Sequence, residues 1–364
     1  MKINKNLLMA EEKKILFKYQ SLNIDSVYVF DDGDFFIFGN GESVECFKNK
    51  IYSTLFDGKN FKSKLTLDVS SDSCFFDLKN DDEFGMCINY KFTLNKFNPG
   101  RTSFKEIQPI NLNEFETGRK LMRLLNGDIL FFKFYMGSQS ISVFKKSYKD
   151  SYLNQSDYMY INDNKFNIDD LEEIIELDKN QILGYKRAIT TPESLILKIY
   201  DDNYQIKRKN KIIAEIKDEI YSYKKKLYFT TNMQKIKNKL ICGGCHNIYI
   251  IDINSLELET TIKLEKTIKK ILIRPKGNIF VLTYIQEKFK PDLVRETNSN
   301  YVEFYLNNIK IDLKTNEMIS NNEKNITDQA GIYNSFFDFY NYSKNGLIAN
   351  IDKSKVIIYK NYDD

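Results

Sequence analysis

The stretch Lys120–Phe144 reads KLMRL-LNGD-ILFFKFY-MGSQS-ISVF: an apolar strand, a turn on Asn126, Gly127 and Asp128, a more apolar second strand, a second turn, and a third strand alternating apolar with polar residues. Asn-Gly between two apolar runs is a strong short-range signal for a hairpin. Working outward from this stretch, the same unit returns. It reads SVYVF-DDGD-FFIFG-NGES-VECF over Ser26–Phe47, CFFDL-KNDDE-FGMCI-NYK-FTLNKF over Cys74–Phe97, and EIIEL-DKNQ-ILGYK with SLILKIYDD over Glu173–Asp202. Further copies are KNK-LICGG-CHN-IYIID over Lys237–Asp252, IKKILI-RPKGN-IFVLTYI over Ile268–Ile285, and FFDFY-NYSKN-GLIANI-DKSK-VIIYK over Phe336–Lys360.

Aligned on Phe35, Phe84, Ile129, Ile182, Leu240, Ile279 and Leu347, the second strands lie 49, 45, 53, 58, 39 and 68 residues apart. Seven copies at roughly this period, each with room for a fourth strand, predict an all-β fold: a seven-bladed β-propeller. The fourth strands are expected in the more variable stretches, such as Ile51–Phe56 and Glu257–Lys263. The long sixth interval is absorbed by an insertion over residues 286–300, and a loop of that length is either functional or mobile. The last copy supplies three strands. The strand-like segment Lys14-Ile-Leu-Phe-Lys-Tyr19 is expected to complete that blade, latching the ring through its two ends and covering an exposed edge.

Composition agrees. A chain of 364 residues exceeds the about 250–300 at which one ordinary core stops growing, so it needs several domains or one repetitive architecture. Residues 1–364 are read as a single domain. Five alanines against 24 Tyr and 27 Phe disfavour helix as the main element, although Lys, Asn, Ile, Phe and Tyr are also what an AT-rich genome writes into neutral positions. No apolar run approaches the about 18 residues of a membrane span. The N-terminal apolar stretch is shorter than a secretory core, and Glu11 and Glu12 follow at once, so a cytoplasmic chain is expected, with the nucleus as the other compartment. The five cysteines, Cys46, Cys74, Cys87, Cys242 and Cys245, are odd in number and sparse, and read as reduced thiols.

The segment Leu240-Ile-Cys-Gly-Gly-Cys-His-Asn-Ile-Tyr-Ile-Ile-Asp252 resembles the second-strand, turn and third-strand portion of a WD-repeat blade. Apolar pair, small residue, Gly-Gly, polar turn, alternating Ile and Tyr, and a closing Asp occur in that order. Gly-His and Trp are absent across the array, and the family's Trp-Asp closure is replaced by Tyr200-Asp201, Ile251-Asp252 and Tyr359-Lys360. The resemblance implies a rigid scaffold for protein–protein contacts with no catalysis of its own.

Motifs for chemistry are few. Cys242-Gly-Gly-Cys245-His246 spells a covalent haem attachment motif, yet it falls on the hairpin turn of the best repeat copy, where Gly serves turn geometry. His246 is the sole histidine, which leaves zinc ligation and general acid–base work with little support. The acid pairs Asp169-Asp170 and Glu172-Glu173 read as solvated loop charge. The basic clusters Lys207-Arg208-Lys209 with Lys211, Lys224-Lys225-Lys226 and Lys269-Lys270 are interleaved with acids in a chain of formal net charge +4, short of a dedicated nucleic-acid binder.

The insertion is the candidate partner site, because Phe289, Pro291, Leu293, Val294 and Arg295 set apolar and cationic groups in a polar loop. The expected role is a non-enzymatic scaffold or adaptor, monomeric within a hetero-complex, with proteins as partners and no cofactor or metal. Two other readings are a propeller hydrolase or lyase with its site at the central channel, and a nucleic-acid or lipid binder working through the lysine clusters.

Overall fold

The computed structural model describes residues 22–359, apart from 30–33, 44–45, 57–60, 71–73, 78–82, 89–90, 101, 111–116, 136–137, 149–157, 170, 172, 189–193, 214–232, 245, 274–277, 287–301, 327–337, 344–345 and 352–354. Every regular element among the described residues is a strand, and the strands form seven antiparallel sheets that follow one another along the chain. The first sheet is β1 (Leu22–Val29), β2 (Asp34–Ser43), β3 (Cys46–Phe56) and β4 (Phe61–Ser70). The second is β5 (Cys74–Asp77), β6 (Glu83–Ile88), β7 (Lys91–Phe97) and β8 (Phe104–Ile110). β9 (Thr117–Arg123), β10 (Ile129–Tyr135), β11 (Ser138–Tyr148) and β12 (Tyr158–Asp169) make the third. β13 (Glu173–Asp178), β14 (Gln181–Ala188), β15 (Ser194–Tyr200) and β16 (Ile206–Ile213) make the fourth. The fifth holds β17 (Met233–Ile236), β18 (Lys239–Gly243), β19 (Asn247–Asp252) and β20 (Leu258–Lys263). The sixth holds β21 (Thr267–Ile273), β22 (Asn278–Gln286), β23 (Val302–Asp312) and β24 (Glu317–Asn325), and the seventh β25 (Asp338–Ser343), β26 (Gly346–Ile351) and β27 (Lys355–Tyr359).

Strand order within each sheet is sequential, so each is a meander of hairpins. The seven aligned residues from Phe35 to Leu347 all fall in the second strands of successive sheets. First strands meet between sheets: β5 lies beside β9, β13 beside β17, β17 beside β21, and β21 beside β25. β25 in turn lies beside β1, which brings the last sheet against the first.

Apolar side chains explain the stacking. The run Ile-Leu-Phe-Phe at the start of β10 is buried throughout, and alternate residues point to opposite faces. Ile129 and Phe131 join Phe92 and Leu94 of the second sheet, while Leu130 and Phe132 join Ile174, Ile182 and Tyr200 of the fourth. β18 repeats the arrangement. Leu240 and Cys242 pack with Leu183 and Tyr185 of the fourth sheet, and Ile241 packs with Ile271 and Val281 of the sixth. A strand covered on both faces reads as a continuous apolar run rather than an alternating one. β19 follows this rule against the sequence expectation of alternation, with Ile248, Tyr249, Ile250 and Ile251 all buried.

Two other expectations are corrected by register. Ile51–Phe56 is the second half of β3, because β2 and β3 pair from Asp34↔Leu55 to Ser43↔Cys46, and the fourth strand of that sheet is β4. The hairpin is longer than its Gly39 and Gly41 implied, since glycine weakens a strand but does not forbid the ladder. In the sixth sheet the third strand comes only after the insertion, as β23, a position the sequence reading left empty. Segment 14–19 lies outside the described residues.

Close stacking leaves one glycine no room. A Cβ on Gly184, in β14, would sit 2.2 Å from Cδ1 of Leu171, which precedes β13 and is buried. Gly184→Ala is therefore expected to lower stability by about 1–3 kcal/mol through overpacking. In a Leu171→Ala background the same change should cost clearly less, as read from urea midpoints; equal costs would show that the two residues do not meet.

Candidate interaction surface

The turn after the third strand is built the same way in three consecutive sheets. Asp201 Oδ1 accepts the backbone N–H groups of Asn203 and Gln205 at 3.0 and 2.8 Å, and Asp252 Oδ1 accepts those of Asn254 and Ser255 at 2.8 and 2.9 Å. Asp312 Oδ1 accepts the N–H of Lys314 at 2.8 Å. Aspartate suits this place because its short side chain can accept from the N–H two residues on, closing a tight turn. The Asp201 carboxyl is held below its ordinary range by its hydrogen bond from Lys207, with the N–H of Gln205 adding to it. Burial pushes the Asp252 carboxyl up, but the N–H of Ser255 and the Lys239 ammonium outweigh it and leave it lowered. Asp201 and Asp252 are the residues that stand in for the Trp-Asp closure of the sequence reading. Asp312 was missed there; the signal was Ile311-Asp312 with Asn316 four residues on.

Each of these turns contains a residue of left-handed conformation that reaches the preceding sheet. Tyr204, Leu256 and Asn316 have φ of 59°, 60° and 60°, uncommon for residues with a Cβ. The Tyr204 hydroxyl donates to Asp128 Oδ2 of the third sheet at 2.6 Å, and burial, followed by the Asp128 carboxylate, raises its pKa. Leu256 is buried among fourth-sheet side chains, and its carbonyl accepts from Asn210 Nδ2 of β16 at 2.7 Å. Asn316 Nδ2 donates to Glu259 of β20 at 2.9 Å.

Around the first strands runs a second set of inter-sheet bonds. Arg123 of β9 pairs with Glu83 of β6 at 2.5 Å, both buried. Glu176 of β13 accepts the N–H of Leu125, Lys235 of β17 donates to the carbonyl of Leu177, and Gln234 donates to the carbonyl of Ile271 at 3.1 Å. Burial raises the Glu176 pKa; the N–H of Leu125 and the Lys235 charge oppose this without cancelling it. Glu83, Arg123, Glu176, Gln234 and Lys235 are thus engaged in holding neighbouring sheets together.

The outermost strands differ. Ile206 and Ile213 of β16 are each 53% exposed, and Leu258 of β20 and Met318 and Ile319 of β24 are exposed as well. Lys207, Arg208, Lys209 and Lys211 line β16 and are exposed, so the first lysine cluster of the sequence is the rim of the fourth sheet. Lys269 and Lys270 lie on β21, with the Lys269 ammonium over the Phe304 ring at 5.4 Å. Residues 224–226 lie outside the described residues.

Other sequence candidates are placed as follows. Phe289, Pro291, Leu293, Val294 and Arg295 lie outside the described residues, in the stretch between the end of β22 and the start of β23. Cys242 is fully buried in the core between the fourth and fifth sheets, so haem attachment there would require opening that core. His246 is half-buried, with its carbonyl accepting the N–H of Leu264 at 2.7 Å, and Cys245 lies outside the described residues. Glu173 lies in β13 and Asp169 ends β12, while residues 170 and 172 lie outside the described residues. The β5–β6 register sets Cys74 opposite Cys87, a pairing not readable from spacing. Among the described residues no helix is long and apolar enough to cross a membrane, and no three His, Cys, Asp or Glu residues gather as a metal site.

The chain is similar over nearly its whole length to solved structures. The crystal structure of Saccharomyces cerevisiae Sqt1 matches at 10% identity, covering 97% of this chain and 99% of that one, with a TM-score of 0.51. A chain of the crystal structure of the Mitotic Checkpoint Complex matches at 7% identity, covering 100% and 98%, with a TM-score of 0.54. No family model matches the chain. No curated protein matches it in sequence. At such identities the likeness shows the fold alone, an all-β architecture like that of WD-repeat propellers.

The raised Glu176 pKa carries a sign. The folded state holds that proton more tightly than the unfolded chain, so the contribution is fully present below the ordinary value of 4.5 and is lost as pH rises through the folded pKa. Glu176→Gln is expected to flatten the fall in urea midpoint from pH 4.5 upward while still accepting the Leu125 N–H. An unchanged slope would remove Glu176 from the account.

Proposed function

We propose that the chain is a single seven-bladed β-propeller that serves as a non-enzymatic scaffold or adaptor in a larger intracellular assembly, in the cytoplasm or the nucleus. The observation that carries the ring is the placement of β25, in the seventh sheet, beside β1, in the first, with the other five sheets in chain order between them. A rigid ring presents many loops and strand edges to partners while its interior is used for stacking. Support for a binding role comes from how the polar groups are spent. Glu176, Lys235, Arg123 and Glu83 tie sheets together, whereas exposed apolar and cationic side chains collect on the outer strands. The similarity to a chain of the Mitotic Checkpoint Complex, a protein crystallised in an assembly, accords with this reading.

In this reading the segment 14–19 would be the strand that completes the seventh sheet, which has three strands among the described residues, and would latch the ring. Deleting residues 1–20 is expected to lower the melting temperature by about 1–3 °C, the effect of losing about 1–2 kcal/mol in a domain of 364 residues. An unchanged melt would show that no latch exists.

The insertion over 286–300 is assigned to partner contact through Phe289, Pro291, Leu293, Val294 and Arg295. Affinity purification from the native cell is expected to return defined protein partners in fixed proportion. Replacing Phe289, Leu293 and Val294 by Ser should remove at least one of them without changing the melt. Recovery of the chain alone, as a monomer, would contradict the scaffold reading; recovery of every partner with the triple variant would end the insertion's role.

A further inference from the structure

The fourth sheet ends in a strand unlike the other outer strands. β16 reads IKRKNKII, with four cations, no acid and no proline. β20 and β24 carry acids as well as lysines, and β8 carries Pro109, which cannot donate to a further strand. Among the described residues β16 pairs only with β15, so one row of its backbone N–H and C=O groups has no strand beside it. Six of its eight residues are exposed: Ile206, Lys207, Arg208, Lys209, Lys211 and Ile213.

The charge on this edge is concentrated by the register. Lys209 stands directly opposite Lys198 of β15, and Lys211 stands opposite Ile196, which is itself opposite Lys186 of β14. Lys186, Lys198, Lys209 and Lys211 therefore share one face of the sheet. Like charges directly opposite one another in a sheet are destabilising. Lys207 is matched by Asp201 at 2.9 Å; no ion pair of Arg208, Lys209 or Lys211 is formed among the described residues.

Lysines on an edge strand ordinarily prevent two copies of a protein from pairing edge to edge. The same charges that repel a second β16 attract a strand of opposite sign. They do not account for Ile206 and Ile213, which leave apolar surface exposed at both ends of the edge. Against a phosphate backbone those two side chains have no role, whereas against the side chains of an added strand they have neighbours to cover. We propose that the edge of β16 left unpaired among the described residues is a docking strand for an acidic, extended segment of a partner protein, which adds to the fourth sheet as a further strand. Main-chain hydrogen bonds would supply the attachment, and Arg208, Lys209 and Lys211, backed by Lys198, would select carboxylates. This rests on the scaffold reading and names the chemistry of one partner.

The test uses the full chain and a fluorescent peptide alternating Glu with Val over the length of β16. Anisotropy is expected to show salt-sensitive binding, and hydrogen exchange should show slower exchange over residues 206–213 when the peptide is present. Reversing Arg208→Glu, Lys209→Glu and Lys211→Glu should weaken binding by about tenfold or more, and should confer binding of the corresponding Lys–Val peptide. The gained specificity cannot come from a misfolded protein. Equal binding to both forms, or binding without protection over 206–213, would overturn the proposal. So would displacement of the peptide by a single-stranded oligothymidylate that binds more tightly, which would make the edge a nucleic-acid surface. If the peptide fails while the native chain still co-purifies with partners, the docking strand is wrong and the scaffold stands; if no partner is recovered, the scaffold reading itself has failed.

Discussion

The fold depends on strands that are apolar on both faces. β10 sends Ile129 and Phe131 one way and Leu130 and Phe132 the other, and β18 divides Leu240 and Cys242 from Ile241 in the same manner. Neither strand can be satisfied by its own sheet, because a sheet has two faces and its strands lie within it. Burial of each such side chain is worth about 1.5–3 kcal/mol, so a sheet with one neighbour forfeits much of its stabilisation. A sheet built on such a strand thus requires a sheet before it and one after it, and a repeat array meets that requirement at its two ends by joining them or by capping them with polar faces. β25 beside β1 is the structural answer.

Polar contacts between sheets are smaller in energy and sharper in geometry. A typical hydrogen bond contributes about 0.5–1.5 kcal/mol net, less than one of the apolar residues it accompanies. Their value is positional. The left-handed turn residues Tyr204, Leu256 and Asn316 each meet the preceding sheet, and Asp201, Asp252 and Asp312 hold the turns that present them. Local backbone cost at Tyr204 and Leu256 is offset by what those side chains reach, a buried carboxylate in one case and an apolar core in the other. The Arg123–Glu83 pair follows the same logic. It adds little over an apolar pair of the same shape, but loss of either partner would strand a buried charge.

Much of this was legible in the sequence, for reasons that can be named. Second strands are legible in all seven copies as apolar runs after turns rich in Gly, Asn, Asp or Lys, and in β10 and β18 the run is unbroken because both faces are buried. Ile51–Phe56 was misassigned because β2 runs through Gly39 and Gly41, residues that signal a turn by composition alone. β23 was missed because the insertion parts it from its hairpin partner, and Asp312 went with it. The lysine cluster at 207–211 was visible as a charge run, but spacing does not say that a run lies on the outer edge of a sheet or that Lys209 stands opposite Lys198. Edges and registers are long-range facts, fixed by which strands pair and not by what any one strand contains.

Closure is the claim on which the rest stands, and hydrogen exchange measures it at the far end of the chain. A chain ending at Ile326 lacks β25, β26 and β27, which in sequence adjoin only the sixth sheet. In a closed ring, exchange should accelerate in β1–β4, some three hundred residues away, as well as in β21–β24. If β1–β4 keep the protection they have in the full chain while only the sixth sheet loosens, the sheets form an open array and the ring is contradicted.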